Sequence, residues 1–262
     1  MSHSAEARAF IQRVQEEHAN GYFGDFDEFN ILGRKESISA TALDDITETG
    51  NIVIPSPNGT ACEVTSSSGN DTLAGTGVQK VDVHYLDASN KMQCEEVDMD
   101  GASNVVLDAG IDFNTVQWLH ATQVGSGGVA AGNIVVRDIS THAIIYEQIS
   151  VGGNQSLSCR FKIPKNTIGL MSSWHATGVT KVVDVRLRAT CERFDRTLTP
   201  GVFTFQDTVT LANSTSPTII YRPALFFPEL CEIKVSSIAD VVGGGAAASF
   251  QIIIRHIQNI PT

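Results

Sequence analysis

The sequence predicts an all-β, antiparallel fold, of the β-sandwich or jelly-roll type, with an N-terminal helix and an extended arm. Three observations carry this. Short segments alternate apolar and polar side chains, the period of a strand with one face in a core and one in water. Turn chemistry built from Gly, Pro, Asn and Asp punctuates them about every ten residues. Helical crossovers, which a parallel sheet needs, are missing from the pattern.

Residues 5–20 read as the helix. Ser4 can cap it and Asn20-Gly21 can stop it. Phe10, Ile11 and Val14 make a narrow apolar stripe, too thin to fold alone. Residues 21–33 follow with Tyr22, Phe23, Phe26 and Phe29 among acids and glycines, and show neither a helical nor a strand period. They read as an arm. Aromatic anchors in such a segment suit contacts with a partner, so all seven of these apolar side chains are candidate partner contacts.

Strands are expected at residues 50–55, 81–86, 92–99, 105–107, 115–121, 133–139, 142–149, 155–163, 169–176, 181–190, 202–205, 208–211, 218–222, 230–236 and 249–257. In 181–190 Val183, Val185, Leu187 and Ala189 share one face, while Asp184, Arg186 and Arg188 share the other. The glycine-rich stretches 125–128 and 243–248 read as hairpin tips. The chain divides into residues 1–35, helix and arm, and 36–262, the sandwich region. That region is one domain or two packed subdomains with a boundary near 165–200.

The stretch Asp71-Thr72-Leu73-Ala74-Gly75-Thr76-Gly77, followed by Lys80-Val81, Tyr85-Leu86-Asp87, Glu95-Glu96 and Asp100-Gly101, resembles a β-rich segment of tailed-bacteriophage virion proteins. Tyr85-Leu86-Asp87 stands where Gly-Leu-Asp is usual there, and Asp100-Gly101 where Asn-Gly is usual. Looser matches at residues 131–134, 152–157 and 163–167 extend the likeness over residues 60–190. The resemblance implies a non-enzymatic structural part of a virion, first of all a head decoration or cement protein on the capsid exterior. A tail, neck or fibre-attachment protein is the alternative. Partners would be other virion proteins (the major capsid protein, or tail and portal components) and further copies of the chain. Assembly would take place in the host cytoplasm.

Composition narrows the classes. The net charge is −11, from 18 basic and 29 acidic residues, without the basic stripe that nucleic acid requires. No apolar run reaches the length of a membrane span, and the N-terminus lacks an apolar signal core. The five cysteines are scattered, without C-x-x-C spacing, so all five are expected to be free thiols.

Catalytic, cofactor and metal sites are not expected. The seven histidines form no H-E-x-x-H pattern, and no Gly-x-Ser-x-Gly elbow offers a nucleophile. Gly75-Thr76-Gly77 lacks the Lys and the helix start of a phosphate loop. Asp98, Asp100, Asp108 and Asp112 do not have calcium-loop spacing. Glu95 and Glu96 would point to opposite faces of one strand. A carbohydrate-binding module, stacking sugars on Trp118, Trp174 or Tyr146, is the reading from another class. Arg186, Arg188, Arg193 and Arg196, with Lys181, form a basic cluster interleaved with acids, either a solvated face or a docking face.

Overall fold

The structure is a computed structural model of the 262-residue chain. It describes residues 26–256 apart from 51–52, 54–58, 109–111, 180, 192–201 and 213–214. The expected helix, with Phe10, Ile11, Val14, Tyr22 and Phe23, lies outside the described residues, as do Arg193 and Arg196.

Every regular element among the described residues is a strand, and the ladders are antiparallel. In chain order they are β1 (Phe26–Ile38), β2 (Asp44–Asp45), β3 (Cys62–Ser66), β4 (Val78–Asp87), β5 (Met92–Asp98), β6 (Val105–Val106), β7 (Phe113–Val124) and β8 (Ile134–Asp138). The second half adds β9 (Ile145–Ile149), β10 (Arg160–Lys162), β11 (Thr167–Val179), β12 (Val183–Thr190), β13 (Thr204–Leu211), β14 (Thr218–Phe227), β15 (Glu232–Ala239) and β16 (Gly244–His256).

Two hydrophobic cores organise them. The larger lies between the sheet β1-β16-β11-β14 and the sheet β10-β15-β12-β13. The first sheet contributes Ile31, Met171, Trp174, Phe227, Phe250 and Ile252; the second contributes Phe161, Val185, Leu187, Leu211, Ile233 and Val235. Strict alternation in β12 buries Val183, Val185, Leu187 and Ala189, as its sequence pattern predicts. The smaller core lies between β6-β3-β8-β9 and β5-β4-β7, and holds Val64, Val81, Val83, Leu119, Ile134 and Val136, with Tyr85 packed on Phe113.

The smaller unit is an insertion into the larger one. β2 and β10 both pair with β15, β2 at Ser236 and Ser237 and β10 at residues 232–234, so two distant segments share one strand position. Hydrogen bonds run on through the break: Ile46 N donates to Val235 O, and Val235 N to Cys159 O. The chain leaves at Thr47 and returns at Ser158, and these two residues form a bridge with hydroxyls 2.7 Å apart. Division between cores therefore falls at these two positions, not near 165–200, because the ladder to β15 resumes at Cys159.

Other expectations are corrected. The arm reading of residues 21–33 fails from Phe26 onward: β1 pairs with β16 along its length. Gly33 lets β1 pass close to Cys159, which a Cβ there would strike. Residues 244–248 are not a hairpin tip but the start of β16, where Ala246 and Ala248 are small enough to lie in the core between neighbouring strands. The turn itself is at Gly243, φ +100°. Segments 202–205 and 208–211 belong mainly to one strand, β13, and the described residues Gly50 and Val53 are not in a strand. β3 was not expected; all five of its side chains are buried, so it shows no alternation.

The cysteines are corrected too. Cys191 and Cys231 are disulfide-bonded, while Cys62, Cys94 and Cys159 are free. The β12–β15 register pairs Thr190 with Glu232, which makes Cys191 and Cys231 the next cross-strand pair, Cα atoms 4.2 Å apart. Thiol titration of the denatured, unreduced chain is expected to find three free thiols and, after reduction, five.

Asp71, in the loop between β3 and β4, is fully buried and ties the smaller unit together. Its carboxylate accepts from Val78 N at 2.8 Å, Ala131 N at 2.9 Å, Gly132 N at 2.9 Å and Ser66 Oγ at 2.6 Å. Hydrogen bonds to a buried charge contribute about 1.5–3 kcal/mol each, and orphaned donors cost extra. Asp71→Ala is expected to destabilise the chain by about 3 kcal/mol or more in urea unfolding; a loss below about 1 kcal/mol would mean the donors find water instead.

Candidate functional site

The candidate site is the outward face of the three-stranded sheet β5-β4-β7. The inward side chains of β4, Val81, Val83 and Tyr85, fill the smaller core, so Asp82 and His84 point away from it. Register places Asp82 beside Glu96 and His120, and His84 beside Cys94 and Trp118. Asp82, His84 and His120 offer ligating atoms all within 4.8 Å of one another, the one such group of His, Cys, Asp and Glu among the described residues. His120 Nε2 lies 3.6 Å from Asp82 Oδ2, and Cys94 Sγ 3.7 Å from His84 Nε2. Burial, followed by the charge of His120, pushes the His84 imidazole down to about 4, so it is neutral at pH 7. Burial, followed by Asp82, pushes the Cys94 thiol up to about 11. Lys80 closes the face through Glu96 at 2.7 Å and Asp98 at 3.2 Å.

A run of rings links this face to the larger core. Phe161 and Phe29 are 5.4 Å apart, Phe29 and Trp118 5.2 Å, Trp118 and His84 4.3 Å, and His84 and His120 5.2 Å. A cleft of about 280 Å³ opens between β1 and β7, lined by Phe29, Trp118, His120, Gln155 and Ser156 among others. The two units are also joined by polar contacts. Gln117 Nε2 donates to Lys162 O at 2.6 Å, Lys162 N donates to Gln117 Oε1 at 3.1 Å, and Lys162 Nζ donates to Asn114 Oδ1 at 2.6 Å.

Of the residues singled out from sequence, Phe29 is half-buried against the larger core, and Phe26 begins β1. The three rings suggested for sugar stacking form no exposed platform: Trp174 and Tyr146 are buried, and Trp118 is half-buried within the ring stack. Glu95 and Glu96 bond to different neighbours, Asp108 N and Lys80, as opposite faces require. Arg186 and Arg188 lie on the outer face of β12 with Phe203 and Phe205. Arg186 sits 5.0 Å from the Phe205 ring, and Arg188 and Lys234 sit 5.3 and 4.2 Å from that of Phe203. Phe205 is 56% exposed.

Sequence reasoning missed the Asp82–His84–His120 group. The signal present was Asp-x-His in β4 and Trp-x-His in β7, spacings that put each pair on one strand face. It also missed Glu147, which is buried at the junction and accepts from Ser158 Oγ at 2.7 Å and Gln148 N at 3.0 Å.

No protein-family model matches the sequence, and no curated protein matches it. Among solved structures, the chain is similar to one of infectious bursal disease virus Gx strain, at 9% identity and a TM-score of 0.24, covering 90% of this chain and 71% of that one. A tandem CBM22 domain of Xyn10C from Paenibacillus barcinonensis gives 10% identity and a TM-score of 0.23, covering 88% and 93%. A structure of Sulfolobus Turreted Icosahedral Virus gives 10% and 0.21, covering 87% and 91%. Likenesses at this level carry no functional argument. Among the described residues no helix is long and apolar enough to cross a membrane.

Burial pushes the Glu147 carboxyl up to about 7, against the pull of Ser158, the Gln148 amide and Arg160. A carboxyl with a folded pKa above its unfolded value holds its proton more tightly when folded. Its contribution is therefore full below about pH 4.5 and is lost as pH rises toward 7. Glu147→Gln is expected to flatten that decline and to stabilise the chain at pH 8 by up to about 3 kcal/mol. Urea unfolding across the pH range checks this; an unchanged pH profile would contradict it.

Proposed function

We propose that the chain is a non-enzymatic structural component of a tailed-phage virion, a head decoration or cement protein bound to the capsid exterior. The observation that carries the reading is the winding of the larger unit. In chain order its strands β1, β10, β11, β12, β13, β14, β15 and β16 fall in sheets arranged β1-β16-β11-β14 and β10-β15-β12-β13. That winding, crossing between the facing sheets at every step except β12 to β13, is the order of an eight-stranded jelly roll, an architecture recurrent in viral capsid and lectin domains. Fold alone does not assign function; the resemblance of residues 66–101 to phage virion proteins supplies the virion setting.

Two parts of the chain suit subunit contact. One, by its sequence alone, is the N-terminal segment with Phe10, Ile11, Val14, Tyr22 and Phe23. The other is the Arg186–Phe205 face, where arginines stack on exposed aromatic rings, the composition enriched at interface hot spots. Against a chain of net charge −11, this cationic face favours an acidic region of a neighbouring virion protein.

The test is incorporation into particles. Quantitative mass spectrometry of purified particles is expected to find the chain at a copy number matching the head lattice. A low multiple of the tail's rotational symmetry would move it to the tail, and absence from particles would end the reading. Deleting residues 2–24 spares β1 and is expected to leave a folded chain that no longer incorporates. Phe205→Ala is expected to weaken particle binding by about 2 kcal/mol, roughly thirtyfold. Normal incorporation of both variants would remove these surfaces from the interface.

A further inference from the structure

We propose that Asp82, His84 and His120, with Cys94 as fourth ligand, bind a divalent transition-metal ion of the zinc class on the outward face of β5-β4-β7. The donor set is two imidazoles, one carboxylate and one thiol, the mixture that suits zinc and its neighbours more than calcium or magnesium. Spacing agrees with the chemistry. Zinc bonds of about 2.0–2.3 Å in a tetrahedron separate neighbouring donors by about 3.3–3.8 Å. Asp82 Oδ2 and His120 Nε2 are 3.6 Å apart, and His84 Nε2 and Cys94 Sγ are 3.7 Å apart. The Asp82, His84 and His120 ligating atoms lie within 4.8 Å of one another; Cys94 Sγ stands outside that group, beside His84, and would have to rotate toward the ion to complete the shell.

The positions are fixed by the sheet. Asp82 is in register with His120, and His84 with Cys94, so the four side chains come from three adjacent strands of one ladder. Trp118 stacks on the His84 ring at 4.3 Å with an interplanar angle of 17°, which holds that imidazole in place. His120 borders the cleft between β1 and β7 and keeps 40% of its side chain exposed, which leaves a path for the ion. Ligation needs His84 and His120 neutral and Cys94 as thiolate, so binding releases the Cys94 proton to solvent.

The experiment is a cobalt(II) titration of the full chain, reduced at Cys94 and freed of metal by chelation. One equivalent is expected to bind, with visible absorption of a tetrahedral site and a near-ultraviolet thiolate-to-cobalt band, and zinc is expected to displace it. His84→Ala and His120→Ala should each abolish stoichiometric binding, while His175→Ala should leave it intact. Cys94→Ser should remove the thiolate band alone; a band that survives would exclude Cys94 as ligand. Should either histidine variant misfold by circular dichroism, the wild-type chain still decides: zinc should protect His84 and His120, and not His175, from carbethoxylation read by mass spectrometry. Absence of stoichiometric binding, binding retained in folded histidine variants, or absence of protection would overturn the site.

Discussion

The structure depends on one shared strand position. The edge of β15 beyond β12 must be paired if the larger sheet is to close over its core, and no single segment does so. β2 takes Ser236 and Ser237, and β10 takes residues 232–234. Asp45 fastens the first piece by accepting from Lys234 at 2.9 Å and Ser236 at 2.8 Å. Phe161 fastens the second by filling the core behind it. Both pieces must be in place at once, so Thr47 and Ser158 are forced together although more than a hundred residues separate them. Everything between them folds as a loop whose ends are already closed. That arrangement lets a whole sandwich be inserted at little cost in chain entropy.

The stretch from Asp71 to Gly77 gains a physical meaning from the inserted unit. Its Asp-Thr turn is built around Asp71, whose carboxylate gathers the end of β3, the start of β4 and the approach to β8. Gly77 is glycine because a Cβ would run into that carboxylate. The motif is thus a device for closing a small sandwich. It leaves the other face of β4 free for Asp82 and His84, which the smaller core does not use.

Legibility in the sequence followed the physics of each element. β12 was plain because one of its faces is buried and the other wet, and its burial alternates residue by residue. β3 hid because both faces are covered, which erases alternation. β16 hid at its start because Gly and Ala, packed between β1 and β11, carry almost no propensity signal. β1 hid because its exposed residues mix acids with Asn30, Leu32 and Arg34 and its aromatic Phe29 stacks with rings of both units, giving no regular contrast. The disulfide and the Asp82–His84–His120 group depend on register. Cys191 meets Cys231 only because β12 pairs with β15, and His120 meets Asp82 only because β7 passes the hairpin β4–β5 to pair on its far side.

The two cores are separate, yet the join between them is not a passive linker. Gln117 mimics a strand by donating to and accepting from the Lys162 backbone, Lys162 reaches back to Asn114, and the Arg160 guanidinium reaches Val116 O at 3.4 Å. Arg160 is itself held by Glu232 of β15 at 3.3 Å, so β7 of the inserted unit, β10 and β15 form one polar chain of contacts. Glu147 places an ionisable carboxyl in the same buried seam, beside the Thr47–Ser158 bridge. A seam of buried polar groups is costly wherever a partner is lost, which favours this arrangement of the two units. The Arg186–Phe205 face belongs to the larger sandwich, and the Asp82–His84–His120 face to the inserted one.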